Sequence, residues 1–211
     1  MFISQKIHLF VSQTYTDYYI EYLKKNQVLN VKSCFDIGSD LGTLVKELNK
    51  IGIDAEGIEQ KQENVSNAVT PNIIHGTFND EYIVSKKYDL ITVLQVIYFL
   101  GDILKVLKKI KSILNSNGMV FIVTSSSHSK DHISKYTNHK LYSKKQYHDM
   151  ASKLDFEIID YTEVQSNLGV SFIHGTIIGM LKLIAFKTGI KKAIIEKEKS
   201  NLTFILMKLN Y

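Results

Sequence analysis

Two short stretches of this chain place glycines and carboxylates where neighbouring strands are predicted to end. Residues 34–42, CFDIGSDLG, read as a buried strand that runs into a turn punctuated by Gly38 and Gly42 and then into a helix. The stretch IDAEGIE ends a second short strand with Glu59, which lies 21 positions after Gly38. Glycines let a ligand approach the backbone, and an acid at the next strand end can accept the hydroxyls of a ribose. The pattern therefore predicts a site for an adenosyl cofactor.

The turn after the first strand carries an acid where a dinucleotide site needs a glycine. In the pattern G-x-G-x-x-G, Asp40 takes the second glycine position and Thr43 takes the third. A carboxylate at that position opposes the close approach of a doubly anionic pyrophosphate. S-adenosylmethionine has no phosphate, and its ammonium and sulfonium groups are cationic. The charges therefore favour S-adenosylmethionine over NAD.

Four segments resemble, in order, the motifs of the class I (Rossmann-like) S-adenosylmethionine-dependent methyltransferases. FDIGSDLG is similar to the first motif, hydrophobic-D-x-G-x-G-x-G, and IDAEGIEQ is similar to the second, which ends in the ribose acid. HGTF (residues 75–78) stands where the third motif reads G-D-A. YDLITVLQVIYFLGD (residues 88–102) aligns without gaps to F-D-L-V-x-S-x-E-V-L-E-H-V-P-D. The resemblance is close over residues 30–127, and four motifs at family spacing are far more specific than one.

The resemblance implies a set of cofactor contacts around the first two strands. Gly38 and Gly42 shape the loop under the methionine portion, and Ser39 offers backbone and hydroxyl contacts. Asp36 holds the loop or the cofactor ammonium, and an acid that ends a buried strand is costly unless it is paired. Glu59 accepts both ribose hydroxyls.

Further cofactor contacts are implied by the third and fourth motifs, where the chain also departs from the family pattern. Gln60 flanks the adenine, and Thr77 and Phe78 meet its edge and face, although core packing explains Phe78 equally well. Thr77 replaces the usual Asp. Gln95 stands at the usual Glu position, between cofactor and acceptor, and Phe99 replaces the usual His.

The candidate residues for the acceptor side follow the fourth and fifth strands. Tyr98 can orient an acceptor hydroxyl or serve in packing. Removing a proton from a hydroxyl acceptor needs a base, and His titrates near neutral pH. His128 and His132, just beyond the fifth strand, are the first candidates, and His174 is the third. The spacing of His128 and His132 also suits a metal on a helix face. Since no acidic ligand set lies nearby, we predict an enzyme that needs no metal.

These residues must be positioned by a single α/β domain that spans residues 1–211. Strand and helix patterns alternate, which predicts a doubly wound, mostly parallel sheet with helices on both faces. The resemblance adds a seven-stranded sheet with an antiparallel last strand. The predicted helices are 14–27, 41–51, 61–68, 101–115 and 143–153. The predicted strands are 31–37, 53–58, 72–75, 88–94, 119–125, 155–163 and 202–210.

Three segments extend this minimal fold. Residues 1–29 are predicted to form an N-terminal helical cap, whose Tyr15, Tyr18 and Tyr19 either close over the site or form a packing stripe. Residues 126–142 and 167–200 are predicted to be insertions on the substrate side. The second begins with a strongly apolar run interrupted by Lys, His and Gly. A lid or a homodimer surface is the favoured interpretation, and contact with a membrane surface is the minor one.

The composition argues against several classes of protein. The net charge is +5, but all the basic residues are Lys, and the bidentate contacts that Arg makes to guanine and phosphate are missing. We therefore expect no nucleic-acid partner. A single Cys excludes an internal disulfide, and the N-terminus does not resemble a signal peptide. We expect a cytoplasmic protein.

Together these features predict an S-adenosylmethionine-dependent methyltransferase with a small-molecule acceptor. The resemblance implies O-methylation of a sugar, a nucleotide-linked precursor or another metabolite. Three alternatives stay open. One is a lipid or quinone methyltransferase that docks on a membrane, and another is an RNA methyltransferase. The third is a non-catalytic cofactor-binding subunit, motivated by Asp40, Thr77 and Phe99.

Overall fold

A computed structural model of the chain describes residues 3–79, 81–83, 86–125, 141–163 and 202–210. Its helices are α1 (Ile3–Lys25), α2 (Thr43–Lys50), α3 (Gln62–Ser66), α4 (Ile103–Ser112) and α5 (Lys144–Lys153), and a 3₁₀ turn spans Ile97–Phe99. Its strands are β1 (Ser33–Ile37), β2 (Asp54–Glu59), β3 (Ile73–His75), β4 (Tyr88–Leu94), β5 (Leu114–Ser125), β6 (Phe156–Glu163) and β7 (Leu202–Leu209).

Parallel pairing brings the carboxyl ends of β1, β2 and β4 to one edge of the sheet. The described strands form a seven-stranded sheet in the order β3-β2-β1-β4-β5-β7-β6, in which β7 runs antiparallel to both neighbours. Ile37, the last residue of β1, pairs with Ile58 of β2 and Val93 of β4. The residues that follow these positions therefore meet. The predicted doubly wound, mostly parallel sheet with an antiparallel last strand is confirmed.

Helices cover both faces of the sheet, and each face buries its own apolar cluster. α1 and α2 pack on one face, and α4 and α5 pack on the other. In α4 the apolar residues recur every three or four positions, so one side of the helix faces the sheet while Lys105 and Lys108 on the other side face solvent. The buried residues of α4 are Ile103, Val106, Leu107 and Ile110.

The second half of α1 is anchored by aromatic packing. The ring of Tyr22 stacks on Phe121 of β5, with ring centroids 4.9 Å apart, and lies 5.2 Å from that of Phe204 of β7. The Tyr22 hydroxyl donates a hydrogen bond to Asp160 of β6. Tyr18 packs edge-on against Phe204. Tyr18 and Tyr22 thus form the packing stripe and fix this half of the helix across the sheet.

Two element boundaries differ from the sequence predictions. α1 begins at Ile3 rather than at residue 14. Between residues 5 and 13 most side chains are half-buried and none is fully buried, so no buried apolar stripe marks this half of the helix. The strand predicted at 119–125 begins earlier, at Leu114, and includes residues 115–118. A bulge absorbs the extra residues there: the register against β4 shifts between Leu114 and Met119, and Asn117 takes a positive φ of 61°.

Most of the two predicted insertions lies outside the described residues. Residues 126–140 of the first insertion and all of the second (167–200) belong to this part of the chain. The lid, the dimer surface and the membrane contact therefore stay predictions. Across the described ranges, no helix combines the length and the apolar character that a membrane span requires.

Candidate cofactor and acceptor site

A cleft of about 760 Å³ opens at the carboxyl ends of β1, β2 and β4. α1 forms one wall, and the residues after β3 and the 3₁₀ turn form the other side. This is the edge at which α/β sheets bind ligands. Most of the residues predicted for the site line the cleft: Asp36, Gly38, Ser39, Glu59, Gln60, Thr77, Phe78, Gln95 and Tyr98.

The loop after β1 is held against the end of β2 by backbone hydrogen bonds. The amides of Gly38 and Ser39 both donate to the carbonyl of Ile58, at 2.9 and 3.0 Å. Gly38 has a φ of +75°, and a Cβ there would lie 2.8 Å from Val96 Cγ2. Gly42, at φ +72°, begins α2 and is not among the residues that line the cleft. Gly38 therefore shapes the cleft directly, whereas Gly42 shapes the start of the helix.

Asp36 is a buried acid near the end of β1, with an exposed fraction of 3%. Thr92 of β4 donates a hydrogen bond from its hydroxyl to Asp36 Oδ1 at 2.6 Å. Burial raises the pKa of Asp36 to about 7, against the lowering effect of Thr92, and the negative charges of Asp40 and Glu59 raise it further. A cation that enters the cleft beside Asp36 would relieve this cost of ionisation.

Glu59 ends β2 with its carboxylate held by two backbone amides. Asp40 N donates to Oε2 at 3.0 Å, and Lys61 N donates to Oε1 at 2.7 Å. An ionised carboxylate offers about four acceptor positions. Each oxygen of Glu59 therefore keeps one further position, and two neighbouring hydroxyls of a ribose match that number.

Asp40 replaces the usual glycine without leaving the conformation that a glycine provides. Its φ is +51°, in the left-handed region that Asp tolerates better than most residues. Asp40 Oδ2 lies 2.9 Å from His8 Nε2 of α1, and Asn64 of α3 donates to Oδ1 at 2.9 Å. The sequence reasoning missed His8 and Asn64. A polar stripe on α1, formed by His8, Ser12 and Thr16 four residues apart, was the available signal.

The side expected to receive the adenine combines one buried ring with exposed polar groups. Phe78 is 5% exposed, and its ring centroid lies 6.4 Å from that of Phe35. Lys109 Nζ lies 5.2 Å from the Phe78 centroid. Phe78 thus packs in the core and also lines the cleft, and its contact with an adenine stays a prediction. Gln60 and Thr77 are exposed at the rim.

The end of the cleft beside β4 presents uncharged hydrogen-bonding groups. Gln95, at φ +57°, donates from its side-chain amide to the Tyr19 hydroxyl at 2.8 Å. Tyr15 and Tyr19 of α1 line the cleft there with Tyr98. Burial raises the pKa of Tyr98, so its phenol stays protonated near neutral pH. Phe99 also lines the cleft and is 61% exposed.

The histidines predicted as bases, His128, His132 and His174, lie outside the described residues. Within the described ranges, no group of three or more His, Cys, Asp or Glu side chains is arranged to hold a metal.

The cleft suits a ligand with positive charge and hydrogen-bonding capacity. Its charged side chains, among the described residues, are the carboxylates of Asp36, Asp40 and Glu59 and the ammonium of Lys61. Ser39 is 5% exposed, and its Oγ has no hydrogen-bond partner among the described residues. This oxygen faces Gly57 of β2, where a Cβ would lie 2.8 Å from it, so the side chain of Ser39 packs the loop on the strand and the cleft is left to its backbone. S-adenosylmethionine, with its ammonium, sulfonium and ribose diol, fits these features.

Comparison with known proteins supplies an independent line of information. A family model described as a methyltransferase domain matches residues 9–161. This range includes α1 from its second turn onward and all of the residues that line the cleft except His8. A search of curated protein sequences finds no significant match.

Solved structures share the fold at low sequence identity. A protein from Galdieria sulphuraria, provisionally named a sarcosine dimethylglycine methyltransferase, is 15% identical, with a TM-score of 0.67 over 93% of this chain and 85% of that one. The N-methyltransferase NodS from Bradyrhizobium japonicum, in complex with S-adenosylhomocysteine, is 11% identical, with a TM-score of 0.60 over 90% and 87%. The plantazolicin methyltransferase BpumL, also with S-adenosylhomocysteine, is 18% identical, with a TM-score of 0.57 over 95% and 82%.

Proposed function

The chain belongs to the class I S-adenosylmethionine-dependent methyltransferases, and we propose that it methylates a small molecule in the cytoplasm. S-adenosylmethionine is the cofactor, and S-adenosylhomocysteine is the product. The proposed acceptor atom is a hydroxyl oxygen of a sugar, a nucleotide-linked precursor or a related metabolite. A cleft volume of about 760 Å³ supports a small acceptor, because it lies within the range of sites for cofactors and small molecules.

The arrangement of Glu59 is the observation that carries the cofactor placement. Its two oxygens are each fixed by one backbone amide, so the carboxylate has a set orientation before a ligand arrives. The positions that remain suit the two hydroxyls of a ribose. Asp36 lies at the neighbouring strand end, where an ammonium group would meet a carboxyl with a raised pKa. Phe78 offers its ring to the adenine.

Methyl transfer places modest demands on the side chains of the protein. When bound, the cofactor supplies a methyl group on a sulfonium, which is a strong electrophile. The chain must hold donor and acceptor in line and exclude water. In this proposal Glu59 and Asp36 fix the two ends of the cofactor, and α1 covers the cleft.

The uncharged groups at the β4 end support a role in orienting a hydroxyl acceptor. Gln95 and Tyr98 can form hydrogen bonds without adding charge near the reacting atoms. Because burial raises the pKa of Tyr98, this phenol can donate a hydrogen bond but is a poor general base at neutral pH. His128 and His132 are therefore the proposed bases, with His174 as the third candidate.

Calorimetric titration with S-adenosylmethionine, S-adenosylhomocysteine and NAD tests the cofactor placement. We expect both adenosyl ligands to bind and NAD not to bind. Glu59→Gln should weaken the binding of both adenosyl ligands by about 100-fold, because two hydrogen bonds to a charged acceptor are lost. Glu63→Gln is the matched control, since Glu63 is an exposed acid on α3 that does not line the cleft. Equal binding by the wild type and Glu59→Gln would contradict the placement.

The acceptor class is tested by methyl transfer from labelled S-adenosylmethionine to a panel of sugars, nucleotide sugars, phenols and amines. Transfer to a hydroxyl would support the proposal, and transfer to amines alone would replace O-methylation by N-methylation. Binding of the cofactor without turnover on any acceptor would favour the non-catalytic subunit. Sedimentation with quinone-containing liposomes, or RNA binding that weakens steeply with salt, would favour the lipid or RNA alternative.

A further inference from the structure

The first half of α1 is attached to the protein very differently from the second half. Tyr19 and Leu23 are buried, at 4% and 0% exposed. Between residues 5 and 13, by contrast, no side chain is buried. Yet His8, Val11 and Ser12 from this first half line the cleft. One wall of the cofactor site is therefore made by a helical segment whose side chains are half-buried or exposed.

Asp40 provides a polar attachment of this segment at the ribose end of the cleft, in addition to the hydrogen bonds of Ser12 to Thr43 at 2.9 Å and of Gln5 to Asn67 at 3.4 Å. One carboxylate oxygen contacts His8 of α1, and the other accepts from Asn64 of α3. The backbone amide of Asp40 donates to Glu59 at the same time. A single residue thus links two helices, one on each side of the acid that faces the ribose.

We infer that Asp40 is a positioning residue, which holds the first half of α1 over the ribose end of the cleft and so slows the release of the cofactor. The role rests on the proposed placement of the cofactor beside Glu59. Release requires α1 to move away from the loop, and that movement breaks the contact between His8 and Asp40. The substitution of the family glycine by Asp40 therefore keeps the backbone conformation and adds a bridge that glycine cannot make.

The structure allows the bridge to be removed without removing the ribose acid or its backbone donors. His8→Ala acts only from the α1 side and leaves a residue that favours helix. Asp40→Gly acts from the loop side, and glycine tolerates a φ of +51°. Asp40→Asn is the conservative variant, because its amide oxygen can still accept a hydrogen bond. Asp17→Asn is the control, since Asp17 is an exposed residue of α1 that pairs with Gln13 and does not line the cleft.

The test combines calorimetry with S-adenosylhomocysteine and hydrogen–deuterium exchange of residues 5–12. We expect His8→Ala and Asp40→Gly each to weaken binding by about two- to fivefold and to speed exchange in residues 5–12, the double variant being no worse than Asp40→Gly alone. Asp40→Asn should restore most of the affinity, and exchange in α5 and β6 should stay as in the wild type.

Three results count against the inference, and they are distinguishable. A wild type that binds S-adenosylhomocysteine, with His8→Ala and Asp40→Gly matching it in affinity and exchange, overturns the role of Asp40 alone. A wild type that does not bind the ligand overturns this role together with the proposed cofactor site. Additive losses in the double variant would also count against a single shared bridge.

Discussion

The ends of β1 and β2 each carry a buried acid that faces the same cleft, but the two acids are stabilised differently. The Glu59 carboxylate accepts hydrogen bonds from two backbone amides, those of Asp40 and Lys61. Asp36 accepts a hydrogen bond from the Thr92 hydroxyl, and burial raises the pKa of Asp36 to about 7. In the proposed placement, the backbone therefore orients the Glu59 carboxylate before a ribose arrives. The ionised form of Asp36, by contrast, is fully stabilised only when a cation binds beside it.

This difference separates two ways of recognising one cofactor. A carboxylate held by backbone amides keeps its orientation, which suits neutral hydroxyls that need fixed acceptors. A buried carboxylate such as Asp36 is poorly hydrated. Its pairing with an ammonium therefore releases more free energy than the same pairing would at the surface. The loop between Gly38 and Asp40 serves both acids, because it follows Asp36 and donates to Glu59.

Gly38→Ala is expected to have the largest effect, because it displaces the loop that the two acids share. The new Cβ would lie within 3 Å of two methyl carbons of Val96, in addition to the strain of φ +75°. Gly52→Ala is the matched control, because its φ is +87° and no atom lies within 4 Å of the new Cβ. We expect Gly38→Ala to lower the free energy of unfolding by about 2 kcal/mol more than Gly52→Ala.

Chemical denaturation of both variants measures this difference, and calorimetry shows whether binding of S-adenosylhomocysteine falls with it. If the two alanine variants lose equal stability, Val96 yields to the new methyl group. The short distance between position 38 and Val96 would then contribute nothing to the stability of the protein.

Asp36→Asn should stabilise the protein while it weakens the site. The pKa of Asp36 is raised from 3.8 to about 7 in the folded protein. Ionisation therefore lowers the free energy of unfolding as pH rises from about 4 to 7, and the full cost persists above 7. The amide removes this cost, so we expect a gain of about 2 kcal/mol at pH 8 that disappears near pH 4. Cofactor affinity should fall about tenfold at pH 8.

Asp89→Asn is the opposing control on the neighbouring strand. Burial raises the pKa of Asp89, but hydrogen bonds from Asn115, Lys32 N and Ser33 outweigh this and hold the pKa below its usual value. Its ionised form therefore stabilises the folded protein above the unfolded pKa, and this contribution is lost as pH falls. Thermal unfolding at pH 8 should show Asp89→Asn less stable and Asp36→Asn more stable than the wild type. A loss of stability in both variants would contradict the expectation that ionisation of Asp36 destabilises the folded protein whereas ionisation of Asp89 stabilises it.

The strand ends themselves could be predicted from the sequence, whereas their hydrogen-bond partners could not. Short apolar runs and the glycines define β1, β2 and the turn, because burial and backbone conformation leave a direct mark on residue type. The donors to Glu59 are backbone amides, which any residue supplies, so Lys61 carries no signal. Asp40 was recognised as a departure from the family pattern, but its partner His8 lies on a half-helix without apolar periodicity. Long-range polar pairs of this kind depend on the tertiary structure.

The pH dependence of cofactor binding is the smallest expected effect and isolates the charge on Asp36. With a pKa of about 7, only a few per cent of the Asp36 carboxyl is ionised at pH 5.5 and about half at pH 7. If the neutral carboxyl binds the ammonium about tenfold less tightly, as expected for Asp36→Asn, affinity for S-adenosylhomocysteine should rise about fourfold over this range. The ligand's own amino group stays protonated throughout, because it titrates near 8.

Asp36→Asn tests whether ionisation of Asp36 causes the pH dependence of cofactor binding. The variant should bind weakly but equally at pH 5.5 and pH 7. Calorimetry of the wild type at pH 6, in buffers with different ionisation enthalpies, should show about 0.4 proton released for each ligand bound. If the variant keeps the pH dependence of the wild type, another group causes it. The ammonium would then bind away from Asp36, and the contrast between the two acids would lose its functional meaning.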